Sequence, residues 1–440
     1  MSHDAPDTDT IEGRRTIRKA IAASGVGNAT EWFDYGIYSV SVAYITANFF
    51  PGGTVWALAT FAISFLVRPL GGLVWGPLGD RLGRKRVLSL TILLMAAGTF
   101  AIGVLPTYDA IGWWAPALLI FLRMVQGFST GGEYGGAATF MAEYSPDRRR
   151  GLFGSFLEFG TLLGFVLGTA LVLLLQIVLG DAVMQEWGWR VPFLIAGPLG
   201  LIGLYLRSRL EETPVFQELS DNDQNERSTA ATFRELLHYW RPLLAMAGLV
   251  VALNVANYTL ISYSPTYLQA QLGMSADAAL GLILIGELVM MALIPFAGRL
   301  SDGIGRKPVW AISMIGLFVA AVPLYLLIGT GFVGALVGFA ALGVLYVLQL
   351  GTISATFPAM FPTQVRYAGF AITYNVSTAL FGGTAPLVNE ALIESTGNLL
   401  VPAFSMMAGC AVGLIALVFV RETANASLRG TDLPAAPGSA

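Results

Sequence analysis

Histidine and cysteine are almost missing from this chain of 440 residues, which has two of the first and one of the second. Cys410 stands alone in the last apolar run, which excludes an intramolecular disulfide, and no Cys/His group has metal-ligand spacing. His3 lies in the polar N-terminal tail and His238 in a polar connecting segment, so a proton crossing the apolar part of the chain has only carboxylates to use. Charge is scarce as well: 12% of residues are charged against 55% hydrophobic, with a mean hydropathy of +0.67. No soluble domain of this size holds that balance, so the chain reads as an all-α integral membrane protein. A formal net charge of −3 without a basic cluster argues against a nucleic-acid partner. No nucleophile and base converge inside the apolar runs, which argues against an enzyme, and no cofactor motif is present. Met1 to Arg18 contains no short apolar core with a small-residue cleavage site, so no cleaved signal peptide is expected.

What the chain does have is long apolar runs. Each of twelve stretches is long enough to cross a hydrocarbon core of ~30 Å as a helix. They lie near 22–49, 56–79, 87–105, 115–143, 151–179, 190–208, 241–269, 278–300, 309–329, 332–359, 367–392 and 400–420. The one long polar connection, 209–240, separates six runs from six. The expected organisation is an N-terminal tail (1–20), a six-helix bundle (21–208), a linker (209–240), a second six-helix bundle (241–421) and a disordered tail (422–440). Basic residues fall on one side, at Arg14, Arg15, Arg18 and Lys19, then in alternate connections from Arg81 through Arg148 and Arg207 to Arg366 and Arg421. Basic short loops stay in the cytoplasm, so both termini are expected there.

The halves repeat one another. Gly79-Asp80-Arg81-Leu82-Gly83-Arg84-Lys85 recurs as Ser301-Asp302-Gly303-Ile304-Gly305-Arg306-Lys307. Pro146 to Arg150 is echoed by Pro362 to Arg366, and Glu212-Thr213 by Glu422-Thr423, in the same order. Duplicated six-helix halves with a site between them at the midplane describe a secondary transporter that works by alternating access. Gly79, Asp80, Arg81, Gly83 and Arg84, with Asp302, Gly305 and Arg306, are the candidate cytoplasmic gate, because Asp and Arg at helix ends can pair across the halves.

The loop Gly-x-x-x-Asp-Arg-x-Gly-Arg-Lys at Gly76 to Lys85 resembles that of the major facilitator superfamily. Glu31-Trp32-Phe33-Asp34, Arg68-Pro69-Leu70-Gly71-Gly72, Gln126-Gly127-Phe128-Ser129, Gly131-Gly132-Glu133-Tyr134, Glu143-Tyr144-Ser145-Pro146-Asp147-Arg148 and Trp187-Gly188-Trp189-Arg190 narrow the resemblance. They look like the metabolite:proton symporters, and within them the proline/betaine transporters, over nearly all of 20–428. That resemblance implies a monomeric, lipid-embedded carrier in a bacterial plasma membrane that imports a small zwitterionic solute such as proline, glycine betaine or an ectoine-like osmolyte with a proton. The alternative is a proton symporter of an organic acid such as shikimate or 2-oxoglutarate. The tail from Gly430 to Ala440 has no heptads, unlike the helical extension of the best-known relative, so osmotic control through such an extension is not expected.

Two acids lie inside the first run. On a helix Glu31, Asp34, Tyr35 and Tyr38 stand at i, i+3, i+4 and i+7, which is one face. An intramembrane carboxylate marks a functional site by default. Arg123, Gln126 and Thr130 form a polar face on the fourth run, and a guanidinium fork suits a substrate carboxylate. The resemblance makes Asp34 and Arg123 natural partners, with Glu31 and Glu133 as the other candidate proton groups. Arg68 is expected to pair with Glu158 or Glu133; Glu287 is a further buried acid. Candidate substrate contacts are Arg123, Gln126, Trp32, Tyr35, Tyr38, Asn254, Tyr258, Gln349, Tyr374 and Asn375, because aromatic faces bind quaternary ammonium and amides complete a polar wall. Two intramembrane arginines face five acids, a balance that suits a zwitterion better than a dianion.

Overall fold

In lipid a backbone must satisfy its own polar groups, and this chain does so with helices throughout. A computed structural model describes residues 11–82, 84–131, 133–208, 235–236, 238–428 and 433–434. We number the crossings α1 to α12. In the first half they are α1 (Ile11–Val40, resuming at Val42–Phe49), α2 (Thr54–Leu82), α3 (Arg84–Val104), α4 (Trp114–Ser129 and Glu133–Tyr144), α5 (Arg150–Val183) and α6 (Arg190–Ser208). In the second they are α7 (Trp240–Asn257, continuing to Gln271), α8 (Ala276–Ile304), α9 (Arg306–Ile328), α10 (Phe332–Leu350), α11 (Arg366–Ser377, continuing to Thr396) and α12 (Val401–Val418).

Among the described residues, seven helices are long and apolar enough to cross a membrane by length and composition alone. Of the others, α3 and α6 are apolar over the shorter stretches Ser89–Val104 and Arg190–Ile202, and α1, α4 and α11 are interrupted. α1 contains Glu31 and Asp34 and breaks at Ser41, the first segment of α4 ends at Ser129, and α11 loosens into a wider turn over Thr378–Gly382. α7 also widens, over Tyr258–Tyr263 and Tyr267–Gln271. Such bulged turns favour functional positions. Leu73, Val319, Val418 and Phe419 stay exposed on the outer surface, where lipid is the solvent. Trp113 and Trp114 lie exposed at the end of the molecule opposite the basic loops, the expected place for an interfacial tryptophan.

The helix of α1 already includes 11–20, within the segment read as the N-terminal tail. At the other end one expectation is corrected. Residues 422–428 are not disordered: Glu422, Ala426 and Leu428 are bonded to the basic-loop ends of helices. Their polar, Pro/Gly/Ala-rich context hid long-range partners that no local pattern encodes.

Small residues set the tightest approaches. A Cβ on Gly127 of α4 would lie 1.7 Å from the carbonyl oxygen of Ser64 on α2, and one on Gly71 would lie 2.0 Å from that of Phe128. At the basic-loop end of the seam between halves, Gly151 of α5 meets Gly298 of α8 in the same way. Gly127→Ala should therefore force α2 and α4 apart and destabilise the protein by about 1–3 kcal/mol, read as a lower unfolding temperature in detergent.

Candidate functional site

The face of α1 read from the sequence points into the first half, and its acids diverge. Glu31 Oε1 accepts from Arg68 Nη2 at 3.0 Å, and both side chains are buried. Asp34 Oδ2 instead accepts from the hydroxyl of Thr99 on α3 at 2.7 Å. Two expected pairings are thus corrected. Arg68 takes Glu31 rather than Glu158, whose oxygens are taken by Tyr134 and Thr161. Asp34 does not touch Arg123 directly.

Those two groups are joined through a directed chain. Arg123 Nη1 donates to Gln126 Oε1 at 2.9 Å, Gln126 Nε2 donates to Thr99 Oγ1 at 2.6 Å, and the Thr99 hydroxyl donates to Asp34. Arg123 Nη2 donates to Ser64 Oγ at 3.0 Å, while its buried Nε has no partner. Among the described residues, no carboxylate salt-bridges this guanidinium. It lies over the Tyr38 ring at 4.2 Å and near Tyr35 and Phe61 at 5.3 and 5.4 Å. Arg68 covers Tyr35 and Phe65, each at 4.8 Å, and Trp32 at 5.7 Å.

A second polar chain runs beside the first. Trp32 Nε1 donates to Asn28 Oδ1 at 3.1 Å, Asn28 Nδ2 donates to Thr161 Oγ1 at 2.6 Å, and Thr161 donates to Glu158 Oε2 at 3.1 Å. The Tyr134 hydroxyl donates to the other oxygen of Glu158. Tyr134 stacks on Tyr374 of the second half, with ring centroids 4.5 Å apart. The halves also meet where Phe65 packs edge-on against Tyr258 at 5.1 Å and where Asn375 Nδ2 donates to the Gly131 carbonyl at 3.1 Å.

Trp32, Tyr35, Tyr38, Tyr258, Tyr374, Gln126, Arg123 and Asn375 are therefore gathered at the middle of the molecule. Asn254 is turned within its own half, donating to Thr378 Oγ1 at 2.9 Å. Gln349 Nε2 donates to Ser313 Oγ on α9 at 2.9 Å, which ties the side chain to the neighbouring helix, and its buried Oε1 has no partner among the described residues. Gln349→Ala should accordingly change apparent substrate affinity less than about threefold, measured by concentration-dependent uptake. The Glu133 side chain lies outside the described residues. Glu287 is buried beside Thr169 of α5, and neither side chain makes a hydrogen bond of good geometry.

Sequence reasoning missed Ser64, Phe61, Phe65, Thr99 and Tyr134. Phe61, Ser64, Phe65 and Arg68 stand at i, i+3, i+4 and i+7, so the helical spacing around Arg68 could have found the first three. Thr99 carries no local signal.

At the basic-loop end of the molecule, the second copy of the repeated loop reaches across the halves. Asp302 Oδ1 and Oδ2 accept from the backbone N–H groups of Gly151 and Leu152 at 2.8 and 2.9 Å, at the N-terminus of α5, while Arg306 Nη2 holds the same carboxylate at 2.7 Å. An anion at a helix N-terminus is favoured by the dipole and the free amides. Gly305 supplies the left-handed turn between α8 and α9, at φ +102°. Arg366 of α11 pairs with Glu143 of α4 at 2.7 Å, a second link that was not anticipated. In the first copy, Gly83 and the side chains of Asp80, Arg81 and Arg84 lie outside the described residues, as does the surrounding of Gly79.

Comparison with known proteins adds independent findings. The profile of the Major Facilitator Superfamily matches residues 25–386. The proline/betaine transporter of Escherichia coli (strain K12) is 46% identical, over 97% of this chain and 88% of its own. The glycine betaine/proline/ectoine/pipecolic acid transporter OusA of Dickeya dadantii is 44% identical over 98% and 88%. The ectoine/proline transporter ProP of Corynebacterium glutamicum is 44% identical over 95% and 86%. Among solved structures, the proton:xylose symporter XylE bound to 6-bromo-6-deoxy-D-glucose superposes with a TM-score of 0.71 at 19% identity, over 94% of this chain and 97% of that one. At that identity the match concerns the fold.

Proposed function

This chain belongs to the major facilitator superfamily, and on that premise we propose that it imports a zwitterionic osmolyte of the proline, betaine or ectoine type together with a proton. The observation that carries the reading is the different commitment of the two buried cations. Arg68 is bound to Glu31, whereas Arg123 has no carboxylate on it and keeps Nε unused. A planar fork with a free edge is the group a substrate carboxylate needs.

Coupling follows from the chain of bonds. A substrate carboxylate on Arg123 competes with Gln126 for the guanidinium. Gln126 and Thr99 then lose their alignment, and Asp34 loses both its hydroxyl donor and the positive charge behind it. A proton on Asp34 compensates, so solute and proton bind cooperatively. Glu31 is already neutralised by Arg68, which favours Asp34 as the carrier of the two. The cationic end of the solute faces Trp32, Tyr258, Tyr134 and Tyr374, with Glu158 behind Tyr134. Asp302 and Arg306, with Arg366 and Glu143, close the cytoplasmic side until the halves rock. The carrier works as a monomer in a bacterial plasma membrane with both termini in the cytoplasm.

Proteoliposomes with an imposed pH gradient test this directly. Labelled proline should accumulate, unlabelled betaine should compete, and a protonophore should collapse the uptake. Competition by shikimate or 2-oxoglutarate with none by betaine would replace this reading with that of an organic-acid symporter.

A further inference from the structure

We propose that residues 421–428, beyond the last crossing, form a strap that latches the cytoplasmic face shut and must release one half of the protein for that face to open. The segment is bonded along its length. The Glu422 carboxylate accepts from the backbone N–H groups of Arg306 and Lys307 at 2.9 and 3.0 Å, capping the N-terminus of α9, and also from those of Thr423 and Ala424 at 2.8 Å each. Asn425, the only non-glycine residue with positive φ among those described, turns the chain back over the helix ends at +60°.

From there the strap is held by both halves. The Ala426 carbonyl accepts from Arg150 Nη2 at 2.9 Å, at the start of α5 in the first half. The Leu428 carbonyl accepts from Arg366 Nη2 at 2.6 Å and from Thr363 Oγ1 at 3.1 Å, at the start of α11 in the second. The Leu428 side chain, 6% exposed, forms a small apolar cluster with Ala142 of α4 and Ala359 of the second half. Arg150 is fully buried, its Nε and Nη1 have no partner, and Asp147 holds the same Nη2 that donates to the strap.

Geometry makes this segment part of the gate. Opening the cytoplasmic side separates α4 and α5 from α11, so a segment bonded to both must lose one set of contacts. Glu422 anchors the strap to α9, so it stays with the second half and lets go of Arg150 and Ala142. The free energy of those contacts then enters the equilibrium between closed and open faces. The inference rests on alternating access but not on the identity of the solute.

The gate is best read at Ser354, which is buried against Gly154 of α5 across the seam and is not covered by the strap. With Cys410→Ala removing the native thiol, Ser354→Cys is labelled by a maleimide from the cytoplasmic side of inside-out vesicles. Ending the chain after Ala424 should speed labelling about tenfold, whereas ending it after Leu428 should leave the rate unchanged. Equal rates for the two truncations would overturn the proposal. A second measurement keeps the strap intact: Leu428→Cys with Ala142→Cys should form a disulfide under mild oxidant, stop solute uptake, and regain it on reduction. Full uptake by the cross-linked protein, or no disulfide at all, would refute the latch. Failure of proline as a substrate would leave the labelling result untouched, so the two readings fail separately.

Discussion

Asp34→Asn should abolish accumulation of solute against its gradient while leaving exchange of labelled for unlabelled solute across the membrane largely intact. Asn keeps the size of the side chain and still offers an oxygen to Thr99, so the bonds from Arg123 through Gln126 and Thr99 persist. What disappears is the group that gains and loses the proton. Without coupling, a carrier only equilibrates its solute, and the inside-to-outside ratio should fall to about one whatever pH gradient is imposed. Proteoliposomes loaded with solute and placed in labelled solute read the exchange arm; the same vesicles with an acid outside read the accumulation arm. Undiminished accumulation by the variant would remove Asp34 from the coupling role. Glu31→Gln has a different consequence, since it strands the Arg68 guanidinium and should impair folding before coupling.

Arg68→Ala should be the most destabilising single change at the centre. It leaves the buried Glu31 carboxylate without its guanidinium, a loss of about 3–5 kcal/mol for one partner of a buried pair. It also removes the cation from the faces of Trp32, Tyr35 and Phe65. The expected result is a large drop in unfolding temperature, or failure to accumulate in the membrane. Arg68→Met combined with Glu31→Gln should recover much of that loss, because neither charge then remains in a dry site. If the single variant unfolds at the temperature of the unaltered protein, the pair contributes little and Glu31 is free to be reassigned.

The outline of the molecule was legible because lipid allows so few backbone solutions. Apolar runs of sufficient length, a basic bias on one side and a loop that repeats leave little besides two bundles of six helices. The shared face of Glu31, Asp34, Tyr35 and Tyr38 was equally legible, because helical periodicity is a local property. Their partners were not. Whether Glu31 meets Arg68 or Asp34 meets Thr99 depends on how α2 and α3 are rotated against α1, and that is decided by contacts such as Gly127 on Ser64. Gln349 shows the same limit from the other side: its polarity suggested a lining residue, and its bond to Ser313 is set by the rotation of α10. The residues after α12 looked like any polar terminus, since caps on distant helices leave no periodic trace.

The guanidinium groups lying on the tyrosine and phenylalanine rings have one more consequence. The faces of Tyr35, Tyr38, Phe61 and Phe65 are occupied by cations the protein already owns. On the proposed reading a quaternary ammonium is left the rings of Tyr134, Tyr258 and Tyr374, and only a molecule that also carries a carboxylate can draw Arg123 aside. Choline has the head group of betaine without that carboxylate, and it should bind poorly. On the proposed reading, discrimination of this kind needs no steric filter: self-occupation leaves a site that answers to molecules presenting both charges at once.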